Sequence, residues 1–233
     1  MTRPSDLAPR LRTLRPRVAS LLPCDLRTTP ATVFDLGPGN PDLAALDLRD
    51  VAGFTRYVFE EMERRGTPLG FGRYAEERVV YRHRALFGEG EEPRSLHLGL
   101  DLFSPPGTPV ASPLAGRIHS FADNDRPGDY GPTVVIEHAT PEATFCTLHG
   151  HLARRSMASW KVGAPVATGE RIGWLGDASE NGGWPPHLHL QLIVEMRDHR
   201  GDYPGVAAPS QRDEMLRRCP DPNLLLGIPA LER

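Results

Sequence analysis

The chain has 233 residues, a formal net charge of −3, 39% hydrophobic and 24% charged residues, enough for one domain, or one domain plus a sizeable extension, around an unstapled core. The slight negative charge and an aromatic content of 7% argue against nucleic acid or an anionic membrane as partner, since those call for a basic patch or a stacking platform. Cys24, Cys146 and Cys219 form no CxxC pair, which argues against a cysteine metal site, implies no disulfide framework and suits reduced thiols in the cytoplasm.

At the amino end Arg3, Arg10, Arg12, Arg15 and Arg17 precede an apolar run, Val18-Ala19-Ser20-Leu21-Leu22, that is shorter than the roughly 7–15 residues of a signal-peptide core. No window reaches the roughly 18 apolar residues of a spanning helix. The expectation is a cytoplasmic protein without an export signal. Phe54, Val58 and Met62, with Tyr57 beside them, recur at helical spacing. A second helix is expected over Tyr74–Leu86, with Glu76-Glu77 early and Arg82-His83-Arg84 late, as the helix dipole prefers. Breaks at Gly66–Gly72 and Gly88–Pro93 punctuate these elements.

After about residue 95 the pattern changes to short strands between Gly and Pro. They are expected at Pro109–Ser112, Gly116–Phe121, Thr133–His138, Thr144–His151, Ala164–Ala167, Arg171–Leu175 and His187–Glu195. Val110–Gly116 and Val166–Gly173 each read as a tight hairpin. The fold class is mainly β: an antiparallel sheet or barrel-sandwich, with a helical N-terminal extension at 1–90, the β domain at 91–200, and a Pro-rich tail at 201–233 packed across it.

Nine histidines occur. In His187-Leu188-His189-Leu190-Gln191-Leu192 strict alternation puts His187, His189 and Gln191 on one face and the leucines on the other. By the same rule His149 and His151 share a face, as do His97 and Asp101, with Gly99 between them letting the backbone approach whatever they hold. His83, His119, His138 and His199 are read as satisfied or exposed residues. Two His-x-His strands and a His-x-x-x-Asp segment suit a metal, because imidazole and a hard carboxylate together favour zinc in an open catalytic site.

The segments His97-Leu98-Gly99-Leu100-Asp101, Gly107-Thr108-Pro109-Val110, His149-Gly150-His151-Leu152 and His187-Leu188-His189, with Gly163–Gly169 and Ile172–Gly176, resemble the lysostaphin/LytM-type zinc metalloendopeptidases over about residues 94–196. The resemblance implies that His97, Asp101 and His189 hold one Zn2+ per chain, and that His151 and His187 do chemistry. One of the two would take a proton from water, while the other stabilises the oxyanion or protonates the leaving amine; the order stays open. His149 stands where that family usually has tyrosine, and is left as a group near the substrate or behind the ligands. The resemblance implies hydrolysis of a peptide or muropeptide-like amide, here in a cytoplasmic branch. The alternative is a zinc-binding regulatory module acting through a partner. The cleft is expected between loops near Phe121–Tyr130 and Ala178–Pro186, with Trp184 as a substrate platform or a packing residue under Pro185-Pro186. The extension could cap the domain, cover the cleft or mediate dimer formation.

Overall fold

The computed structural model describes residues 7–88 and 92–232, without the side chain of His83. Arg3 and the Glu89–Glu91 part of the expected Gly88–Pro93 break lie outside the described residues. In chain order the elements are α1 (Leu7–Leu14), β1 (Ala31–Phe34), α2 (Pro41–Ala44), α3 (Val51–Arg64), β2 (Leu69–Gly72), α4 (Ala85–Gly88), β3 (Leu96–His97), β4 (Leu100–Phe103), β5 (Pro109–Ala111) and β6 (Gly116–Asn124). They continue with β7 (Gly131–Ala139), β8 (Thr144–Gly150), β9 (Pro165–Val166), β10 (Arg171–Trp174), β11 (His187–Ile193), β12 (Val206–Ala207), α5 (Arg212–Arg218) and α6 (Asn223–Leu226).

The main sheet has eight strands in the order β1-β2-β4-β11-β8-β7-β6-β9, every pair antiparallel except β1 with β2. The mainly β, antiparallel-dominated class expected from the sequence is what forms. No helix among the described residues is long and apolar enough to cross a membrane. In β11 the alternation sends Leu188, Leu190 and Leu192, all fully buried, into the packed side of the sheet.

The extension is helical over Val51–Arg64, where Phe54, Val58 and Met62 are the buried stripe that their spacing predicted. It is also part of the sheet. Its two strands extend the sheet beyond β4, β2 antiparallel to β4 through the register Gly70↔Phe103, Phe71↔Leu102 and Gly72↔Asp101, and β1 parallel to β2. The helix expected over Tyr74–Leu86 does not form. Ala75 has φ of 54°, and the backbone of this stretch bonds to β3 instead: Ala75 N–H to His97 O, His97 N–H to Glu76 O, and Arg78 N–H to Ser95 O. Only a 3-10 turn at Val79–His83 and the one-turn α4 follow. Pairing with a distant strand has overridden the local charge pattern.

The two expected hairpins pair with each other. Strand β10 runs beside β5, β9 runs beside β6, and Gly169 N–H reaches Ser112 O while Ser112 N–H reaches Glu170 O. The C-terminal stretch contacts the rest of the chain through β12 on β3 and buries Leu225, Leu226 and Ile228. It carries two helices that its proline content had hidden.

Candidate functional site

Register places the first three residues of the site. His189 in β11 lies directly opposite Asp101 in β4, so the two side chains rise from the same face of the sheet. His97 comes from β3, one tight step before β4, and Gly99 makes that step possible. A Cβ at Gly99 would stand 2.4 Å from the His189 ring. The close approach expected of Gly99 is therefore to the His189 side chain.

The three form a nearly equilateral triangle of donor atoms. His97 Nε2 is 3.0 Å from His189 Nδ1, and Asp101 Oδ1 is 3.2 Å from each of them. The outward ring nitrogens fix the tautomers. His97 Nδ1 faces the carbonyl of Arg73 at 2.9 Å; a carbonyl only accepts, so that nitrogen carries the proton and Nε2 is a bare lone pair. His189 Nε2 faces Gln191 Oε1 at 3.0 Å. The Gln191 amide is itself oriented because its Nε2 donates to Pro204 O at 3.0 Å, so His189 Nδ1 is bare as well. Two imidazole lone pairs and a carboxylate oxygen thus converge with no proton between them. Such a set is repulsive until a cation enters it. A four-coordinate ion with bonds of about 2.1 Å would want donor spacings of about 3.4 Å, which the triangle meets with little adjustment. These residues fit a metal ion, and the three described residues are the group whose ligand atoms all lie within 4.8 Å of one another.

Beside the triangle stand His151 and His187, with ring centroids 4.2 Å apart. His187 Nδ1 donates to Pro185 O at 2.6 Å and His151 Nδ1 donates to Asn181 O at 2.8 Å. Both therefore present Nε2 as a free base, and His187 Nε2 lies 3.7 Å from Asp101 Oδ1. Burial is the main cause that pushes both imidazoles below their usual range, His151 strongly so, with the neighbouring histidines adding to it. Burial likewise pushes His97 down to about 4. The carboxyl of Asp101 resists its own burial and is held well below the usual carboxylate range by His97 and Arg78.

His149 and His151 do not share a face. His149 is inside β8, opposite Leu190 and Val134, and so points into the apolar core on the far side from His189. His151 follows the last strand residue with φ of 64°. That left-handed turn breaks the alternation and swings its ring round to the side of His187 and His189. His149 is fully buried, and neither of its ring nitrogens has a hydrogen-bond partner among the described residues; it is neither near the cleft nor behind the ligands. His138 is the satisfied residue expected, bonded to Ala115 O at 2.9 Å and Thr147 Oγ1 at 2.8 Å. His119 contacts Ser120 Oγ, and His199, tilted against Tyr203 with centroids 4.6 Å apart, reaches the rim of the cleft.

Above the triangle is a cavity of about 190 Å³. The two expected loops contribute Asp129 and Tyr130 on one side and Trp184 and Pro185 on the other. Two further walls were missed. Val80, Tyr81 and Phe87 come from the extension, and Tyr203–Val206 from the tail. Trp184 is 6% exposed and packs edge-on against Tyr81 at 5.9 Å, with the Arg84 guanidinium 4.7 Å over its ring. Its partners are thus the extension's aromatic and basic side chains rather than its neighbouring prolines alone.

Known proteins match parts of the chain. Over 99 residues the chain is 38% identical to the DD-carboxypeptidase/endopeptidase Mpg of Neisseria meningitidis serogroup B, a stretch that is 42% of this chain and 20% of that protein. The corresponding Neisseria gonorrhoeae protein matches at the same 38% identity and coverage. The chain therefore spans about a fifth of the length of these curated relatives. Among solved structures, a zinc containing peptidase from Vibrio cholerae is 28% identical, with a TM-score of 0.36, covering 47% of this chain and 32% of that one. The catalytic domain of lysostaphin from Staphylococcus simulans is 25% identical, with a TM-score of 0.35, covering 50% of this chain and 77% of that one. Residues 95–200, which carry His97, Asp101, His151, His187 and His189, match Peptidase family M23.

Proposed function

We propose that the protein is a zinc-dependent peptidase that hydrolyses an amide bond in a peptide or muropeptide-like substrate. His97, Asp101 and His189 hold one zinc ion, and His151 and His187 are its catalytic residues. The observation that carries this reading is the convergence of His97 Nε2, His189 Nδ1 and Asp101 Oδ1 at 3.0–3.2 Å with both imidazole protons turned outward. When bound, the metal supplies a Lewis acid for the scissile carbonyl and a lowered pKa for the attacking water.

The chain's own groups do the rest. The set contains no carboxylate base, since Asp101 is occupied as a ligand and by Arg78 on its second oxygen. His151 and His187 take that place. Their Nδ1 protons are tied to backbone carbonyls, so each offers only Nε2 towards the cavity. One accepts the proton of the attacking water; passed on to the other, that same proton charges it to stabilise the developing oxyanion or to protonate the leaving amine. Burial keeps both rings neutral at the start, which is the state a base requires. The name of the curated relatives, a DD-carboxypeptidase/endopeptidase, supports peptides containing D-amino acids as the substrate class.

The test is metal analysis of the native protein, followed by incubation with muropeptides and short D-amino-acid peptides. One zinc per chain and a cleaved peptide are expected. A native protein without metal, or zinc-loaded protein that leaves every such peptide intact, defeats the reading.

A further inference from the structure

The family match covers residues 95–200, yet two of the three donor side chains are oriented by residues that precede it. Arg73 accepts the outward proton of His97 on its carbonyl. Arg78 donates through Nη1 to Asp101 Oδ2 at 2.5 Å. The same guanidinium donates through Nε to Glu76 Oε2 at 2.9 Å and through Nη2 to that same Arg73 carbonyl at 3.2 Å. The side chains of Arg78 and Asp101 are each 3% exposed. A guanidinium cannot lose its proton in a protein, so this is a permanent buried charge, and two carboxylates and a carbonyl are arranged around it. Strand β2 leaves room for it: a Cβ at Gly72 would lie 2.7 Å from Arg78 Nη2.

The consequence for Asp101 is geometric. Its Oδ2 is taken by Arg78, while Oδ1 alone faces His97 and His189. A carboxylate free to rotate could offer both oxygens to one ion and crowd the remaining coordination position. Held by its second oxygen, it can offer only one.

We infer that Arg78 is a positioning residue of the metal centre, supplied by the N-terminal extension, that holds Asp101 to one ligating oxygen and so keeps a coordination position open. The inference rests on the zinc reading above. It makes the stretch from Arg73 to Arg78 an integral part of the centre and not a removable cover.

The test uses full-length protein stripped of metal, with zinc affinity read by competition against a chelator, and with Co2+ as a spectroscopic substitute. R78M is expected to bind zinc roughly 10–100-fold more weakly, as loss of a residue behind a ligand typically does. Its Co2+ form is expected to lose visible absorption intensity as Asp101 becomes bidentate and the coordination number rises. R78K, which keeps the charge but not the fork, is expected to fall between R78M and the wild type. E76Q, which loosens Arg78 from outside, is expected to shift both readings in the same direction. A purely structural role would lower the urea stability of the metal-free variants but leave zinc affinity and the Co2+ spectrum at wild-type values, and that result overturns the inference. Should R78M fail to fold, R78K and E76Q decide the matter by the same two readings. Wild-type protein that takes up no zinc removes the inference together with the zinc reading, whereas wild-type uptake with unchanged variants removes the inference alone.

Discussion

His151 and His187 face each other with ring centroids 4.2 Å apart, although His187 sits in the alternating pattern of β11 and His151 sits just past the end of β8 in a left-handed turn. Each has its Nδ1 proton fixed by a backbone carbonyl, and neither belongs to the donor triangle. Removing one of them should therefore separate chemistry from metal binding. His187→Ala and His151→Ala are each expected to retain about one zinc per chain, and to lose roughly 10²–10⁴-fold in kcat, the usual contribution of a positioned acid or base. His97→Ala and Asp101→Ala are expected to lose the metal itself. Elemental analysis paired with turnover on a cleavable peptide distinguishes the two groups. A fully active His187 variant removes that residue from the mechanism.

Gly99 offers a sharper check, because it touches no substrate and carries no functional group. A methyl there would stand 2.4 Å from one His189 ring carbon and 2.6 Å from Nε2, the nitrogen that bonds Gln191. His189 would have to turn, breaking that bond and moving its lone pair off the triangle. Gly99→Ala is expected to weaken zinc binding at least roughly tenfold, in the range seen when groups behind metal ligands are lost. Wild-type affinity in this variant would mean that His189 is not held as described.

How far these relationships could be read beforehand depended on their range along the chain. The alternation of His187, His189 and Gln191 against three leucines is local, and β11 follows it residue by residue. The same rule applied to His149 and His151 fails, because it assumes that the strand continues. The chain in fact turns at His151, whose N–H bonds Tyr130 O and whose carbonyl accepts from Gly176 N–H. These are contacts with other strands and loops that no local pattern announces. Arg78 is further from view still. Its stretch looks like a helix in isolation, with acids early and bases late. Only long-range pairing with β3 extends it and carries the guanidinium to Asp101. The one local sign was Gly72 in the strand before it, a glycine that leaves space for another group's approach.

The extension invites the idea of an inhibitory cover that could be trimmed away. Its strands argue otherwise. Strand β2 pairs with β4, which bears Asp101, and Phe34 lies edge-on to Phe103 at 5.4 Å. Deleting residues up to about 90 would expose the β4 edge, a template for aggregation, and would leave Phe103 and Trp184 without the aromatic neighbours Phe34, Tyr81 and Phe87. The truncated chain is expected to be aggregated or inactive, as gel filtration and peptide turnover would reveal. A soluble truncation with raised turnover would instead establish an inhibitory cover.

The last prediction concerns His149, the histidine the site does not use. It is fully buried opposite Leu190 and Val134, and both ring nitrogens lack a hydrogen-bond partner among the described residues. Burial first, and the nearby His138 second, push its pKa down to about 3. His138 is itself pushed down to about 4 by burial. In the unfolded chain both would titrate near 6.5. As pH falls below that value the unfolded state binds protons that the folded state refuses, so stability is lost on the acid side, at up to about 1.4 kcal/mol per pH unit for each ring. His149→Leu keeps a buried side chain of apolar character beside Leu190 and removes two unpaired polar atoms. It is expected to stabilise the fold by about 1–3 kcal/mol at pH 7, the usual cost of an unsatisfied buried polar group. That advantage should widen by roughly 1–2 kcal/mol at pH 5, because one of the two acid-sensitive rings is gone. Zinc content should be unchanged, since the ring lies on the opposite face from the donor triangle. Urea unfolding at the two pH values measures both effects. A variant less stable than the wild type at pH 7, or an advantage that does not grow with acid, would show that the buried ring is better satisfied than its surroundings suggest.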